Sequence, residues 1–182
     1  FYYSAYDAPS KGKEFSNVNE HHKIYYHKLG EPQENDRLVY ENKAYPKRFY
    51  TAQVSEDERV LFIYESGEGR GNALFMQDLT QKSAPVVQLA SDFDYQYTPI
   101  EVIGNRIYFF TNYQAAKNKI MAAELQSPEL ANWKEVVPEK EQVLSDVRVI
   151  GGKLFLTYDK DASNHAYVYD LQGKELQEIE LP

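Results

Sequence analysis

The sequence predicts an all-β fold, an arc of about four four-stranded antiparallel blades of a β-propeller in which the first blade is incomplete. The phrase "VIGNRIYFFTN" at residues 102–112 returns as "VIGGKLFLTYD" at residues 149–159. Four short apolar segments each end on a leucine, at spacings of 50, 46 and 46 residues: Leu29, Leu79, Leu125 and Leu171. A repeat in the forties with four strands per unit is typical of propeller blades. The 16 tyrosines and nine phenylalanines also favour pleated sheet over helix.

Each repeat unit is predicted to contain four short strands joined by turns such as "SEDE", "GN" and "GG". The first strands are "YTAQVS", "YTPIEVI" and "LSDVRVI". The second strands are "RVLFIYES", "RIYFFTN" and "KLFLTYD", beginning at Arg59, Arg106 and Lys153. The third strands, "KIYYHKL", "ALFMQDL", "KIMAAEL" and "AYVYDL", end on the four leucines. The fourth strands are "DRLVYEN", "APVVQLA", "WKEVVPE" and "ELQEIELP". The opening "FYYSAYD" is the second strand of a unit without its first strand.

These strands divide one partial propeller domain, residues 1–182, into blades at about 1–49, 50–95, 96–143 and 144–182. A single four-stranded sheet has two apolar faces, so neighbouring blades must stack face to face. An irregular β-sandwich would explain the strands but not their equal spacing. Because a closed propeller needs at least about four complete blades, we expect this chain to be an arc cut from a longer one.

Composition narrows the classes of function. The 20 basic residues against 28 acidic ones give a net charge of −8, which opposes nucleic-acid binding. No apolar run approaches about 18 residues, so no membrane span is expected. The absence of cysteine excludes disulfides, thiol catalysis and zinc–thiolate sites. We expect a soluble protein without a cofactor, and its compartment stays open between the cytoplasm and the periplasm.

No motif of the sequence predicts catalysis or metal binding. A nucleophilic serine on a G-x-S-x-G turn is absent, and the four histidines are interpreted as surface or sheet residues. The glycines of "SGEGRGN" join two strands, which predicts a flexible hairpin instead of a phosphate cradle. The segment "DKDASNHAYVYD" begins like a calcium loop but has Asn164 at the glycine position, and we expect a hairpin there.

The first strand of each blade lines the central channel of a propeller. Gln53, Glu101 and Arg148 each precede a valine in these strands, and we expect them to line the channel. A one-residue ambiguity in the register of the second blade's turn decides which face they occupy.

The chain resembles the propeller of the prolyl oligopeptidase family over nearly all of its length. The most specific stretch, "KIYYHKLGEPQENDRLVYE", is similar to the family pattern K-L-Y-Y-H-x-L-G-T-x-Q-x-x-D-x-L-V-Y-E. It departs from that pattern at Ile24, Glu31 and Asn35. The segment "NWKEVVPE" also resembles the family's W-K-x-L-V-P-E run.

This resemblance implies a serine endopeptidase that cleaves short peptides after proline. An α/β-hydrolase domain carries the Ser-Asp-His triad in such enzymes, and a seven-bladed propeller covers it as a size filter. The chain would hold roughly the second to the fifth blade and no triad residue, so it would be non-catalytic alone. The resemblance places Phe49, and with it the loop at Gly69, at the rim of the substrate pocket. Packing of Phe49 between blades is the alternative interpretation.

Two functions are consistent with these blades. One is the gating propeller of a prolyl-oligopeptidase-like enzyme, whose partners are the hydrolase domain and short proline-containing peptides. The other is a stand-alone propeller that serves as a scaffold for protein interactions. In both cases the terminal blades expose apolar faces, which predicts self-association of the isolated chain.

Overall fold

Fifteen β-strands make up the fold in the computed structural model, which describes residues 1–9, 11–12, 18–67 and 69–180. They form four antiparallel sheets, each a meander of strands that are consecutive in the sequence. The first sheet contains β1 (Tyr2–Ala5), β2 (Lys23–Tyr26) and β3 (Arg37–Glu41). The second contains β4 (Phe49–Val54), β5 (Val60–Ser66), β6 (Ala73–Asp78) and β7 (Val86–Ala90).

The other two sheets have four strands each. The third contains β8 (Tyr97–Ile103), β9 (Arg106–Thr111), β10 (Lys119–Glu124) and β11 (Lys134–Val137). The fourth contains β12 (Val143–Ile150), β13 (Lys153–Lys160), β14 (Ser163–Tyr169) and β15 (Glu175–Ile179). Two short 3₁₀ helices lie between the last two strands of the first and third sheets: Gln33–Asn35 between β2 and β3, and Leu130–Asn132 between β10 and β11. The predicted all-β arc of four blades, the first with three strands, is confirmed.

The sheets pack face to face, and one apolar cluster fills each of the three junctions between neighbouring sheets. Ile24 of the first sheet packs with Leu61 and Ile63 of the second. On the opposite face of β5, Phe62 packs with Phe109 of the third sheet, whose ring stacks on Trp133 at a centroid distance of 3.7 Å. Tyr108, the neighbour of Phe109, faces the fourth sheet instead. Since alternate residues of a strand point to opposite faces, the middle sheets bury both of their faces.

The register of the second blade differs from the prediction by one residue. Arg59 lies in the turn before β5, which begins at Val60, whereas β9 and β13 begin at Arg106 and Lys153. The equivalent residues are therefore Val60, Arg106 and Lys153. The reason is local: a five-residue turn precedes β5, whereas a two-residue Gly104–Asn105 turn precedes β9. Because strands have a period of two, this one-residue difference decides which side chains face each neighbouring blade.

Candidate functional site

A cavity of about 620 Å³ opens where the first and second blades meet, and we call it the rim pocket. Its walls come from the linker before β4, from the hairpin between β5 and β6, and from the linker after β7. Lys47 and Arg48 contribute two cations to this lining, and the other residues are aromatic, small or proline: Ala44, Tyr45, Pro46, Phe49, Gly67, Gly69 and Phe93. The fold thus brings the predicted rim residues Phe49 and Gly69, which are 20 positions apart, into one cavity.

Phe49 is 53% exposed although it begins a strand whose next residue, Tyr50, is buried. Its ring stands edge-on to the His22 ring at a centroid distance of 5.9 Å. This contact links Phe49 to the first blade, but half of the side chain remains free towards the pocket. The exposed half of this aromatic ring offers apolar surface to a ligand in the pocket.

His22 supports the start of β4 on the side away from the pocket. Its Nδ1 accepts a hydrogen bond of 2.9 Å from the backbone N–H of Tyr50. This bond requires an unprotonated Nδ1. Burial of the ring lowers the pKa of His22, which favours the same neutral state.

Gly69 and Gly71 allow the β5–β6 hairpin to lie directly against the linker after β7. The N–H groups of Gly71 and Asn72 donate to the carbonyls of Phe93 and Tyr95 at 2.8 and 3.0 Å. A Cβ at Gly69 would overlap with Phe93, and one at Gly71 would overlap with the backbone of Tyr95. The predicted hairpin is therefore present, but its glycines serve close backbone packing and not only flexibility.

Sequence reasoning missed Arg48, whose guanidinium lies between two rings of the pocket. It is 3.6 Å from the centroid of the Tyr45 ring and 4.5 Å from that of Phe93. Its Nη1 also donates to Oε1 of Glu65 at 2.5 Å. The available signal was Glu65 itself, a carboxylate within the apolar strand "VLFIYES", which requires a cation when buried.

The buried carboxylate of Glu65 changes the acidity of its neighbours. The Tyr50 hydroxyl lies 3.4 Å from Glu65 Oε1. Burial, and then the negative charge of Glu65, raise the pKa of Tyr40 to about 12 and raise that of Tyr50 further. Both phenols therefore stay protonated at neutral pH, so Tyr50 remains a hydrogen-bond donor.

The predicted channel residues occupy equivalent positions of three sheets. Gln53, Glu101 and Arg148 pair across their strands with Phe62, Tyr108 and Phe155, which are spaced by 46 and 47 residues. All three contribute to one groove of about 400 Å³ between the first strands of the second, third and fourth blades. Burial, followed by the nearby Glu56 carboxylate, raises the pKa of Glu101.

The fold also assembles a serine, a histidine and a carboxylate that the sequence analysis did not connect. Ser163 Oγ lies 3.3 Å from His165 Nε2, and His165 Nδ1 lies 3.2 Å from Glu178 Oε1. The signal was the spacing of Ser163 and His165 by two along one strand, which places them on one face. The serine hydroxyl, however, donates to the Lys160 carbonyl at 2.8 Å, and both Ser163 and Glu178 are exposed. A serine whose proton is bound elsewhere is not activated by the imidazole.

The calcium-like segment forms the tight turn of the β13–β14 hairpin. Asp161 and Ala162 have φ values of 49° and 60°, and Lys160 pairs with Ser163. Two successive left-handed residues are typical of a type I′ hairpin turn.

Within the described part of the chain, no group of three or more His, Cys, Asp or Glu side chains has the arrangement of a metal site. Nor does any helix among the described residues have the length and apolarity to cross a membrane.

Comparison with known proteins gives consistent matches over the full length of the chain. Residues 1–182 match the family model described as "Prolyl oligopeptidase, N-terminal beta-propeller domain". The chain is 33% identical to the prolyl endopeptidase of Elizabethkingia meningoseptica over 182 residues, which are all of this chain and 26% of that protein. It therefore spans about a quarter of the length of this curated relative.

Solved structures show the same likeness. One from a study of two prolyl endopeptidases superposes with a TM-score of 0.84 at 30% identity, covering 92% of this chain and 25% of that one. Prolyl oligopeptidase B from Galerina marginata, in its apo form, gives a TM-score of 0.83 at 24% identity, covering 98% of this chain and 25% of that one. This second likeness concerns the fold alone.

Proposed function

The chain belongs to the family of prolyl oligopeptidase N-terminal β-propeller domains, and from this membership we propose that it covers and gates the active site of a serine endopeptidase. The reaction is cleavage of short peptides after proline. The blades are the gating part, and an α/β-hydrolase domain outside these 182 residues carries the catalytic triad. The four sheets act as successive blades of one propeller domain.

The rim pocket carries this proposal. Phe49 and Gly69 line one aromatic cavity at the junction of two blades, and Phe49 keeps half of its surface free there. Aromatic walls bind apolar parts of a peptide by removing them from water. The pocket therefore supplies a subsite for a peptide bound between propeller and hydrolase domain, and Phe49 is its principal contact.

The groove with Gln53, Glu101 and Arg148 has a separate role in the proposal. These residues bring an amide, an acid and a guanidinium to the inner strands, where a propeller has its channel. A narrow polar channel admits hydrated short chains and excludes folded proteins by size. The three residues are thus channel-lining groups without contact to the reacting bond.

The test is an assay of the full-length protein that contains this chain. We expect hydrolysis after proline in peptides of about ten residues, blockage by a serine-directed phosphonate, and no cleavage of a folded protein with exposed prolines. A full-length protein that forms no adduct with the phosphonate and cleaves none of these peptides would overturn the proposal. Stable binding of a protein partner without hydrolysis would favour the scaffold function instead.

A further inference from the structure

Arg48 contacts each of the three segments that form the rim pocket. Its own linker supplies Tyr45, whose ring lies 3.6 Å from the guanidinium carbon. The linker after β7 supplies Phe93, whose ring lies 4.5 Å from the same atom. The hairpin after β5 approaches its side chain at Gly67, where a Cβ would stand 3.6 Å from Arg48 Nε. One side chain therefore connects all three walls.

Glu65 fixes the position of this guanidinium. The carboxylate is only 1% exposed, and Arg48 Nη1 lies 2.5 Å from its Oε1. A buried carboxylate is strongly destabilising without a cationic partner, so the ion pair holds the arginine head in one place. The planar guanidinium can then stack on the Tyr45 and Phe93 rings while it donates in its own plane.

Phe93 is held from its other side by the hairpin. The Gly71 N–H donates to the Phe93 carbonyl, and the Asn72 N–H donates to the Tyr95 carbonyl. Movement of the linker backbone at Phe93 away from Arg48 would therefore strain these two backbone hydrogen bonds. The width of the pocket and the pairing of the hairpin depend on the same stacked arginine.

We infer that Arg48 is the positioning residue of the rim pocket, because it sets the separation of the Tyr45 and Phe93 walls and thereby the size of the apolar peptide side chain that the pocket accepts. The consequence for peptides rests on the proposed function. The consequence for the hairpin does not depend on that function.

The test variant is Arg48→Lys in the full-length protein. Lysine keeps a cation for Glu65, so the unfolding temperature should stay close to that of the wild type, but an ammonium cannot stack flat between two rings. We expect KM to rise up to about tenfold for peptides with a bulky apolar residue that reaches the pocket, with kcat unchanged. Peptides too short to reach the pocket should keep their KM. The matched control is Arg106→Lys, which alters the exposed ion pair with Glu124.

Amide hydrogen exchange gives a readout that needs no peptide. The Gly71 and Asn72 amides should exchange faster in Arg48→Lys and at the wild-type rate in Arg106→Lys. Unchanged exchange together with unchanged KM for the long peptides would overturn the inference. Faster exchange in a full-length protein without peptidase activity would leave the positioning role intact and refute the proposed function instead.

A second variant keeps the test decisive if Arg48→Lys is unstable. Arg48→Met with Glu65→Gln removes both charges together, so no uncompensated carboxylate stays buried. It should show the same faster exchange at Gly71 and Asn72. Wild-type exchange in this double variant would show that Arg48 does not position the walls.

Discussion

At the scale of single residues, the most family-specific stretch of the sequence is explained by the contacts of His27 and Asp36. His27 Nδ1 lies 2.7 Å from one oxygen of Asp36, and the Tyr3 hydroxyl donates to the other at 2.6 Å. Gly30 lies between them with a φ of +87°, in the left-handed region that favours glycine. The motif "YYHKLGEPQEND" therefore encodes a turn that is closed by the contact of His27 with Asp36. His27 directly follows β2, in agreement with its interpretation as a surface or sheet residue.

Phe49→Ala tests the peptide contact at the rim pocket. In the full-length protein we expect kcat/KM for longer proline-containing peptides to fall, by about 1–3 kcal/mol in activation free energy if the ring is fully engaged. The rate of reaction with a small active-site titrant should stay nearly unchanged. An equal loss for both reagents, or a loss of stability alone, would identify Phe49 as a residue that packs between blades.

Ser163 should not act as a nucleophile, despite its distance of 3.3 Å from His165. Its hydroxyl donates to a backbone carbonyl and the site is exposed, so we expect no hydrolysis of proline-containing peptides by the 182-residue chain. Turnover that survives purification, is blocked by a serine-directed inhibitor and disappears in Ser163→Ala would contradict this prediction.

The stability of the fold should decrease below about pH 6.5 in part through His22. In the folded protein the pKa of His22 lies below its ordinary value of 6.5. At pH values between the two, His22 binds more protons in the unfolded chain than in the folded protein. The contribution of neutral His22 to the free energy of unfolding is complete above pH 6.5 and is lost as the pH falls through the folded pKa. In His22→Asn an amide oxygen can accept the Tyr50 N–H without titrating, so denaturant unfolding of this variant should depend less on pH. If the stability of His22→Asn and that of the wild type depend on pH in the same way, His22 is not the titrating group.

At the scale of elements, the repeated leucines mark the point where each third strand leaves its sheet. The backbone N–H of Leu79 donates to the Arg59 carbonyl at 2.8 Å, and that of Leu125 donates to the Asn105 carbonyl at 2.9 Å. Leu79 and Leu125 thus each tie the end of one hairpin to the turn of the preceding one. Leu29 lies in a turn and is 80% exposed, which fits the absence of such a preceding turn among the described residues.

The β5–β6 hairpin is predicted to tolerate no side chain at its closest approach to the next linker. Gly71→Ala places a Cβ against the Tyr95 backbone, and we expect the free energy of unfolding to fall by about 1–3 kcal/mol. The control is Gly104→Asn, since Gly104 has a φ of +59° with no atom near its Cβ position and asparagine adopts that conformation readily. Denaturant unfolding measures the free energy of unfolding of both variants. Equal stability of Gly71→Ala and the wild type would contradict the close packing.

At the scale of the whole molecule, each middle blade is stabilised by contacts on both faces, and the terminal blades by contacts on one. On β13, the side chains of Leu154, Leu156 and Tyr158 are buried against the third blade. The aromatic side chain of Phe155, between them, therefore lies on the outward face. On the first blade, Tyr3 and Tyr25 stack on the outward face at a centroid distance of 5.6 Å.

Self-association of the 182-residue chain is predicted through these outward faces and the open edge of β1. Sedimentation velocity at rising concentration should show association, although repulsion from the net charge of −8 opposes it. Leu38→Lys should weaken it because Leu38 is 43% exposed beside Tyr25, whereas Leu29→Lys in the turn should not. A chain that stays monomeric at high concentration would refute the prediction.

The blades could be predicted from the sequence, because strands, turns and buried faces follow from a period of two along each strand and a period near 47 along the chain. The sequence also predicted Phe49 and Gly69 as neighbours, through the resemblance to a family. Three features required the three-dimensional structure: the register of β5, the Arg48–Glu65 pair and the placement of Ser163 and His165 beside Glu178. The Arg48–Glu65 pair and the contact of His165 with Glu178 join different segments of the chain. The register of β5 depends on a turn of five residues where the equivalent turns have two. Local periodicity carries no information about either, since the same alternation is compatible with both registers and with any partner across the blade junction.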